Sequence, residues 1–520
     1  MKRLALPVVL IALALRLWDL QRVGICHWDA GTYTAGALGI GPYAKAKLLL
    51  FYAPPMMPAL HRLLFALFGI SDTLVIGFSA LVGALCVAAV WRLGRDLVGD
   101  GAALIGAAAL AGMEYHIIFS RQPLADGLFT LLFCLAAWAL YRGAARGGLA
   151  PLAHGPEQVP AADAAGGTAR GAARDDTSPD RVAWGAAIAG GLATGAALLT
   201  KYHGFFPLVL TGGFLLLRRR PLRAWRGLLL AAAIAGLAAA WLALHIRAET
   251  GLDAFRANRA QWLREPALYL IPQTLQFIGQ ALHEWVALPV LLAAAVGFGL
   301  MLRRRSDGDV FLLLWVALFL STLPLYALYP RLLLPLLVPL VLAAGVGLQA
   351  VAALLMRRRE TGTRTVALLA GLLLACGAVA SGASFAQPSR GYAEAGAWLA
   401  AQGPDPQGRP DLLLAQHSLL FYVRDAGNPF LTYDEPEGLP ALRSGRFRYL
   451  VADLRSDVAP EFAAALAHLQ RVATIDNPLP EPFVVNLEGF RGLDELRSPD
   501  TLPARREELS TIRIFAQPGS

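Results

Sequence analysis

Long apolar runs broken by short polar punctuation organise the first three-quarters of the chain. Runs of about 17–22 apolar residues are long enough to cross a bilayer as helices, and about eleven can be read here. They lie at 4–20, 72–92, 101–119, 124–141, 183–200, 203–217, 227–246, 284–302, 310–328, 331–352 and 365–384. Beyond residue 384 the pattern changes. Short apolar runs at 411–415, 447–454, 471–475 and 482–487 alternate with helical patterns at 392–401 and 461–470. That alternation predicts a small α/β unit. The expected fold is therefore a multi-pass α-helical membrane protein with about eleven transmembrane helices. It divides into a membrane domain over 1–384 and a C-terminal α/β domain over 385–520.

Composition agrees with this pattern. Of 520 residues, 56% are hydrophobic and 16% charged, with a mean hydropathy of +0.51, too apolar for a soluble domain of this size. The net charge of +9 does not point to nucleic acid, because the excess Arg falls in short clusters between apolar runs. Lys2-Arg3, Arg92/Arg95, Arg142/Arg146, Arg218-Arg219-Arg220, Arg303-Arg304-Arg305 and Arg357-Arg358-Arg359 fall on one side if the runs alternate as spans. That side is cytoplasmic by the positive-inside rule. The expected location is the cytoplasmic membrane, with the N-terminus inside and the C-terminal domain outside. The first run follows Lys2-Arg3 but leads into Trp18-Asp19-Leu20 with no small-residue cleavage pattern, so it reads as a retained span. Cys86, Cys134 and Cys376 lie in apolar runs and Cys26 in a loop, with no disulfide framework or CxxC pair.

The polar segments differ in kind. Residues 146–181, rich in Ala, Gly, Pro and Asp without apolar periodicity, predict a disordered cytoplasmic loop. The external loops 19–71 and 247–283 carry Trp, Tyr and Pro and predict short helices lying on the membrane surface.

Ionisable residues near hydrocarbon are costly and tend to be functional. Asp29 follows the first run, and Asp126 lies between the third and fourth, both on the outer side. Asp29 suits a helix N-cap as well as a general base. Asp126, three residues after Pro123, suits the first turn of a helix, where the dipole favours an acid. Arg121 is placed to neutralise it or to hold a phosphate. Glu114, Tyr115 and His116 lie in the outer half of the third run, as a polar cluster satisfying itself or as part of a site. With the aspartates and His203 they make a candidate set for a divalent metal, though the spacing matches no metal motif. Lys201-Tyr202-His203 and Pro330-Arg331 sit at outer turns, against the charge bias. Each cation can snorkel to lipid headgroups, or the two can clamp a phosphate.

Taken in order, these elements resemble the GT-C glycosyltransferases, nearest to the protein O-mannosyltransferase-like family 39 and the aminoarabinose transferases of lipid A. Asp29-Ala30-Gly31-Thr32-Tyr33 resembles the family's DE-x-x-Y element, and Tyr52-Ala53-Pro54-Pro55-Met56 its Y-x-P-P-L loop. Ser120-Arg121 with Asp126 resembles S-R-x-x-x-x-D. The run from Gly191 to Tyr202 resembles GLxxGLAxLTKY, and that from Arg331 to Leu340 resembles RYLLPxxPxL. The likeness covers roughly residues 1–350. Ala30 stands where the family usually has Glu, Ala53 where the aminoarabinose branch has Lys, and Leu332 where Tyr follows the Arg.

The resemblance implies inverting transfer of a sugar from a polyprenyl-phosphate carrier to a lipid, protein or glycan hydroxyl, outside the cytoplasmic membrane. It implies Asp29 as base and Asp126 as the group positioning acceptor, sugar or metal. Lys201, Arg331, Arg121 and Tyr202 would bind the donor phosphate, and Tyr33, Tyr52, Glu114, His116 and His203 would line the site. Metal use varies in the family, so a divalent cation stays open. The competing expectation is a transporter or flippase for a lipid-linked or anionic solute, for which symmetric internal repeats would be the sign, and none is seen.

Overall fold

The structure, a computed structural model, describes residues 2–43, 53–146, 179–249, 251–260, 270–325, 329–357, 362–386, 389–415, 417–433, 435–453, 466–478 and 511–517. The expected disordered segment 146–181 falls almost wholly outside them, as does the apolar run 482–487.

Every long apolar run forms helix. In chain order these are α1 (Lys2–Leu17), the short α2 (Trp28–Leu38) and α3 (Met56–Phe68), α4 (Asp72–Val98), α5 (Asp100–Gly112), α6 (Glu114–Ser120) and α7 (Ala125–Arg146). After them come α8 (Pro179–Thr200), α9 (Phe206–Leu217), α10 (Leu222–Glu249), α11 (Leu252–Ala260), α12 (Leu270–Trp285), α13 (Leu288–Arg304), α14 (Asp307–Thr322), α15 (Leu334–Leu355) and α16 (Thr363–Ala386). Among the described residues, seven helices are long and apolar enough to cross a membrane: α1, α4, α7, α10, α14, α15 and α16. The bent pair α5–α6 makes an eighth if it is one span. The apolar stretches Trp184–Thr200 within α8 and Phe206–Leu217, and the 17-residue α13, fall short of that length, so length alone does not carry the count to eleven.

The run at 101–119 is not the single straight helix its hydropathy suggests. It breaks at Met113, in extended conformation, and α6 turns 61° from α5. A break inside hydrocarbon frees carbonyls that need donors. Arg16 of α1, fully buried, supplies them: Nη1 donates to Ala111 O at 3.1 Å and Nη2 to Leu110 O at 3.4 Å.

α15 runs through the centre of the bundle. A Cβ on its Gly347 would lie 1.9 Å from the Ala293 carbonyl of α13, so the two backbones touch there and only glycine fits. The outer helices α10 and α16 leave Leu229, Leu237, Leu368 and Val379 exposed, as lipid-facing surfaces require. The Arg clusters meet acids at one end of the bundle. Arg92 and Arg142 pair with Asp96, Arg95 with Asp100, Arg218 and Arg220 with Asp307, and Arg304 with Asp309.

The C-terminal unit comprises α17 (Gly391–Ala401), β1 (Asp411–Leu414), α18 (Ser418–Val423), β2 (Phe430–Thr432), α19 (Gly438–Ser444), β3 (Tyr449–Asp453), β4 (Gln470–Asp476) and β5 (Thr511–Ala516). The sheet order is β2-β1-β3-β5-β4, with β1 parallel to β2 and β3, and β5 antiparallel to β3 and β4. The expected strands near 411, 447 and 471 and the helix near 392 are present; β2 and β5 are additions. Leu412, Leu414 and Leu450 bury one face, and Arg448 holds Asp411 through two bonds of 2.9 and 2.7 Å.

This unit is stitched to the helices opposite the Arg-rich end. Gly24 N–H donates to Ser389 O at 3.0 Å, Ser389 N–H to Arg22 O at 3.1 Å, and Arg390 to Gln21 O at 2.7 Å. Arg390 also pairs with Asp72, whose carboxylate accepts from the Tyr422 hydroxyl at 2.9 Å.

Candidate functional site

α2 starts at Trp28 because His27 caps it. The ring Nδ1 of His27 accepts the Asp29 N–H at 3.1 Å. Asp29 is thus not the cap but lies in the first turn, buried, where the helix dipole favours a carboxylate. Its Oδ2 forms an ion pair with Arg331 Nη1. Arg331 sits in a 3₁₀ turn (Pro330–Leu333) that runs straight into central α15, which fixes its position.

The second acid has a matching partner. Asp126, in the first turn of α7, is buried, and its Oδ1 accepts from Lys201 Nζ at 2.6 Å. Its Oδ2 is buried with no hydrogen-bond partner among the described residues. A buried carboxylate oxygen left in that state calls for a ligand or water. Lys201 is held at the end of α8 by a tight turn in which its own N–H donates to Ala197 O and its carbonyl accepts from Gly204 N–H, both at 2.8 Å.

The two pairs belong to one neighbourhood. His27 lies within electrostatic reach of Asp29, Arg331 and Lys201. Tyr115 lies within reach of Asp126 and donates its hydroxyl to the Pro330 carbonyl, next to Arg331. Its ring stacks on Trp285, with centroids 5.2 Å apart. Burial, opposed by Asp29 and reinforced by Arg331 and Lys201, holds His27 down at about 3, so its ring is neutral at neutral pH. Burial beside Lys201 does the same to His203, also about 3.

The remaining expected site residues divide. His203 lies against the Phe129 ring, centroids 4.6 Å apart, next to Lys201. The Tyr202 ring packs edge-on against Phe255 of α11, centroids 5.3 Å apart. Tyr33 is buried on α2, one turn beyond Asp29. Glu114 opens α6. Tyr52 lies outside the described residues. Arg121 is directed at α1, donating to Trp18 O at 2.6 Å and Asp19 O at 3.4 Å, so it closes the end of that helix. His116 faces the helix break, its Nδ1 accepting from Arg16 Nη2 at 2.7 Å. Among the described residues no three His, Cys, Asp or Glu side chains converge to hold a metal ion, and Asp29 and Asp126 instead face cations.

Sequence reading passed over Arg16, which stood at the end of the first run as an ordinary flanking cation. It also passed over His417 and Ser418 at the start of α18. Ser418 Oγ donates to His27 O at 2.9 Å, and Thr32 Oγ1 hydrogen-bonds His417 Nδ1 at 3.1 Å. The His417 ring lies on Trp28 with centroids 3.9 Å apart. A Cβ on Gly31 would fall 2.1 Å from Ser418 N, so glycine permits this docking. No local signal marks a contact between residues nearly four hundred positions apart.

The fold, a helical bundle with a broken third span and an α/β unit at one end, is similar to that of solved GT-C membrane glycosyltransferases. The family model of dolichyl-phosphate-mannose-protein mannosyltransferases matches residues 52–152, a segment that contains Asp126 but not Asp29, Lys201 or Arg331. Among solved structures, ArnT from Cupriavidus metallidurans bound to undecaprenyl phosphate is similar at a TM-score of 0.62 and 16% identity, covering 90% of this chain and 96% of that one. Its apo form gives a TM-score of 0.61 at the same identity and coverage. The oligosaccharyltransferase AglB from Archaeoglobus fulgidus, in complex with an inhibitory peptide and a dolichol-phosphate, gives 0.55 at 13% identity, covering 94% of this chain and 77% of that one. No curated protein matches the chain by sequence.

Proposed function

We propose that the protein is an inverting glycosyltransferase that moves a sugar from a polyprenyl-phosphate carrier to an acceptor hydroxyl at the outer face of the cytoplasmic membrane. The observation that carries this reading is the pairing of two buried carboxylates with two buried cations, drawn from four distant segments, in a GT-C fold. The similar structures hold undecaprenyl phosphate in one case and a dolichol-phosphate in another, which supports a lipid phosphate as the partner here. The Arg-rich end of the bundle is the cytoplasmic one on charge grounds, so the site lies on the other side. Nucleotide sugars do not cross the bilayer, and an outer site therefore needs a lipid-linked donor.

In this reading Arg331 and Lys201 take the donor phosphate and stabilise the charge left on it as the sugar departs. Each is held by an acid in the ligand-free protein. A phosphate that draws Arg331 towards itself leaves Asp29 to accept the proton of the attacking hydroxyl. The hydroxyl oxygen bonds to the anomeric carbon, the bond to the phosphate oxygen breaks, and the polyprenyl phosphate leaves with both electrons. Asp126, whose buried Oδ2 makes no hydrogen bond among the described residues, orients the acceptor or the sugar and favours positive charge at the anomeric centre. The sugar is a hexose or a pentose, and the acceptor a lipid, a protein or a glycan.

The test uses the purified protein in lipid nanodiscs, offered a panel of polyprenyl-phosphate sugars and acceptors, with mass spectrometry following release of sugar-free polyprenyl phosphate. Release by the wild type and its loss in Asp29→Asn are expected. Absence of release from every donor by intact protein would overturn the reading and favour transport of a lipid-linked solute.

A further inference from the structure

Between α1 and α2 the chain passes through Val23–His27, a segment held from two sides. Gln122, buried in the turn between α6 and α7, makes two bonds to it with one carboxamide. Its Nε2 donates to Gly24 O at 2.9 Å, and its Oε1 accepts the Cys26 N–H at 3.1 Å. A parallel strand would make the same pair of bonds around Ile25. The C-terminal unit takes other groups of the segment. Gly24 N–H donates to Ser389 O at 3.0 Å, Ile25 N–H to the Tyr422 hydroxyl at 2.9 Å, and Ser418 Oγ to His27 O at 2.9 Å. A Cβ on Gly24 would lie 2.7 Å from Ser389 O, so glycine allows this approach.

The two ends of the Gln122 link lead to the two acids. Cys26 stands three residues before Asp29, and His27 between them caps α2. Gln122 stands four residues before Asp126, in a turn where its own carbonyl accepts from Leu124 N–H at 2.7 Å and Pro123 fixes φ. Separate residues could satisfy the buried backbone of such a segment. A single carboxamide that takes both bonds also fixes how far the two acid-bearing segments stand from each other.

We infer that Gln122 is a positioning residue that sets Asp29 against Asp126, with the C-terminal unit bracing the same segment. This rests on the reading given under Proposed function and adds to it a residue that acts through the two acids. A base and an orienting acid must face one anomeric centre, and a displacement of about 1 Å can cost ~100-fold in rate. Arg331 and Lys201 are placed by the turns before α15 and after α8, so donor binding is set elsewhere.

Gln122→Met keeps the length of the side chain and removes both bonds. Gln122→Glu offers them again while its carboxyl is protonated, the form that burial favours. Arg121, next to it in the turn, donates to Trp18 O and Asp19 O. Turnover with the polyprenyl-phosphate sugar that the wild type consumes, binding of undecaprenyl phosphate and melting temperature are measured in phosphatidylcholine nanodiscs. The expected result is that Gln122→Met stays folded at the assay temperature and binds undecaprenyl phosphate within a few-fold of wild type, while its kcat falls by ~100-fold. Gln122→Glu recovers turnover, measured against wild type at the same pH, and more fully as the pH is lowered. Gln122→Asn, polar but too short to span both bonds, carries the same comparison if Gln122→Met does not fold.

Wild-type kcat in the folded Met or Asn variant would overturn the positioning role alone. So would a loss of donor affinity that matches the loss of kcat, which marks a general loosening of the site. No recovery in Gln122→Glu at any pH where the wild type turns over would do the same. No release of sugar-free carrier by the wild type from any donor would overturn the glycosyltransferase reading as well.

Discussion

Two polar clusters are buried in the helical bundle, and they are built differently. In one, Arg16 spends its guanidinium on the carbonyls of Ala12, Leu110 and Ala111 and on the His116 ring, which Ser120 also approaches. Its partners are mostly backbone atoms of a broken helix, so its product is shape. In the other, Asp29 and Asp126 face Arg331 and Lys201, side chain to side chain, at helix ends. One of those carboxylate oxygens has no partner among the described residues. Side-chain ion pairs can be exchanged for a ligand's charge, whereas carbonyls freed by a helix break must be satisfied permanently. An ionisable residue in a membrane helix is thus a sign of function only when its partners can be displaced.

Substitutions in the two clusters break this comparison apart. Asp29→Asn, close in size, should lower the turnover of sugar transfer by ~100-fold or more, as loss of a general base does, with little change in donor binding. His116→Gln should leave turnover within a few-fold and mainly lower thermal stability. Equal losses of activity from both would show that the division is wrong. Arg16→Met should have the largest effect on folding. It strips donors from carbonyls at the break, each costing about 1–3 kcal/mol when left unsatisfied. The expected readout is a lower melting temperature in detergent, and an unchanged one would mean that the break is held by something else.

Acid should weaken the active cluster's surroundings more gently. His27 and His203 are held near 3 in the folded protein, against 6.5 ordinarily. The unfolded chain therefore binds the extra protons, and the stabilisation from keeping these rings neutral is complete above pH 6.5 and is lost as the pH falls below it. The slope is about 1.4 kcal/mol per pH unit per histidine. A melting temperature that falls between pH 6.5 and 5, and falls less in His203→Gln, is expected. The smallest effect is foreseen for Tyr115→Phe, which frees the Pro330 carbonyl at a cost of about 1 kcal/mol. It should reduce kcat/KM a few-fold by loosening the Arg331 turn, and a wild-type value would show that α15 alone positions Arg331.

Much of the molecule was legible from its residues. Apolar run length gave each long helix, and alternation with turn residues gave most of the C-terminal strands, because both follow from local periodicity. Short motifs singled out Asp29, Asp126, Lys201 and Arg331, which the structure brings into two ion pairs at one end of the bundle. The break at Met113 was hidden, since hydropathy does not register a change of direction and the donor that makes it tolerable comes from α1. Arg121 and His116 carried the same sequence signature as the paired residues, yet they bond to helix ends and to Arg16.

The sequence by itself determined that this is a membrane-embedded helical protein with a sheet-containing tail, and which ionisable residues stand at the ends of its apolar runs. Those are properties of consecutive residues: hydrophobic length, charge placement and period. The tertiary structure alone decided which charges face each other, that Arg16 serves a broken helix, and that Ser418 and His417 of the tail clamp the helix carrying Asp29. Such contacts join segments up to nearly four hundred residues apart, and only the packing of backbones at positions such as Gly31 and Gly347 brings them within bonding distance.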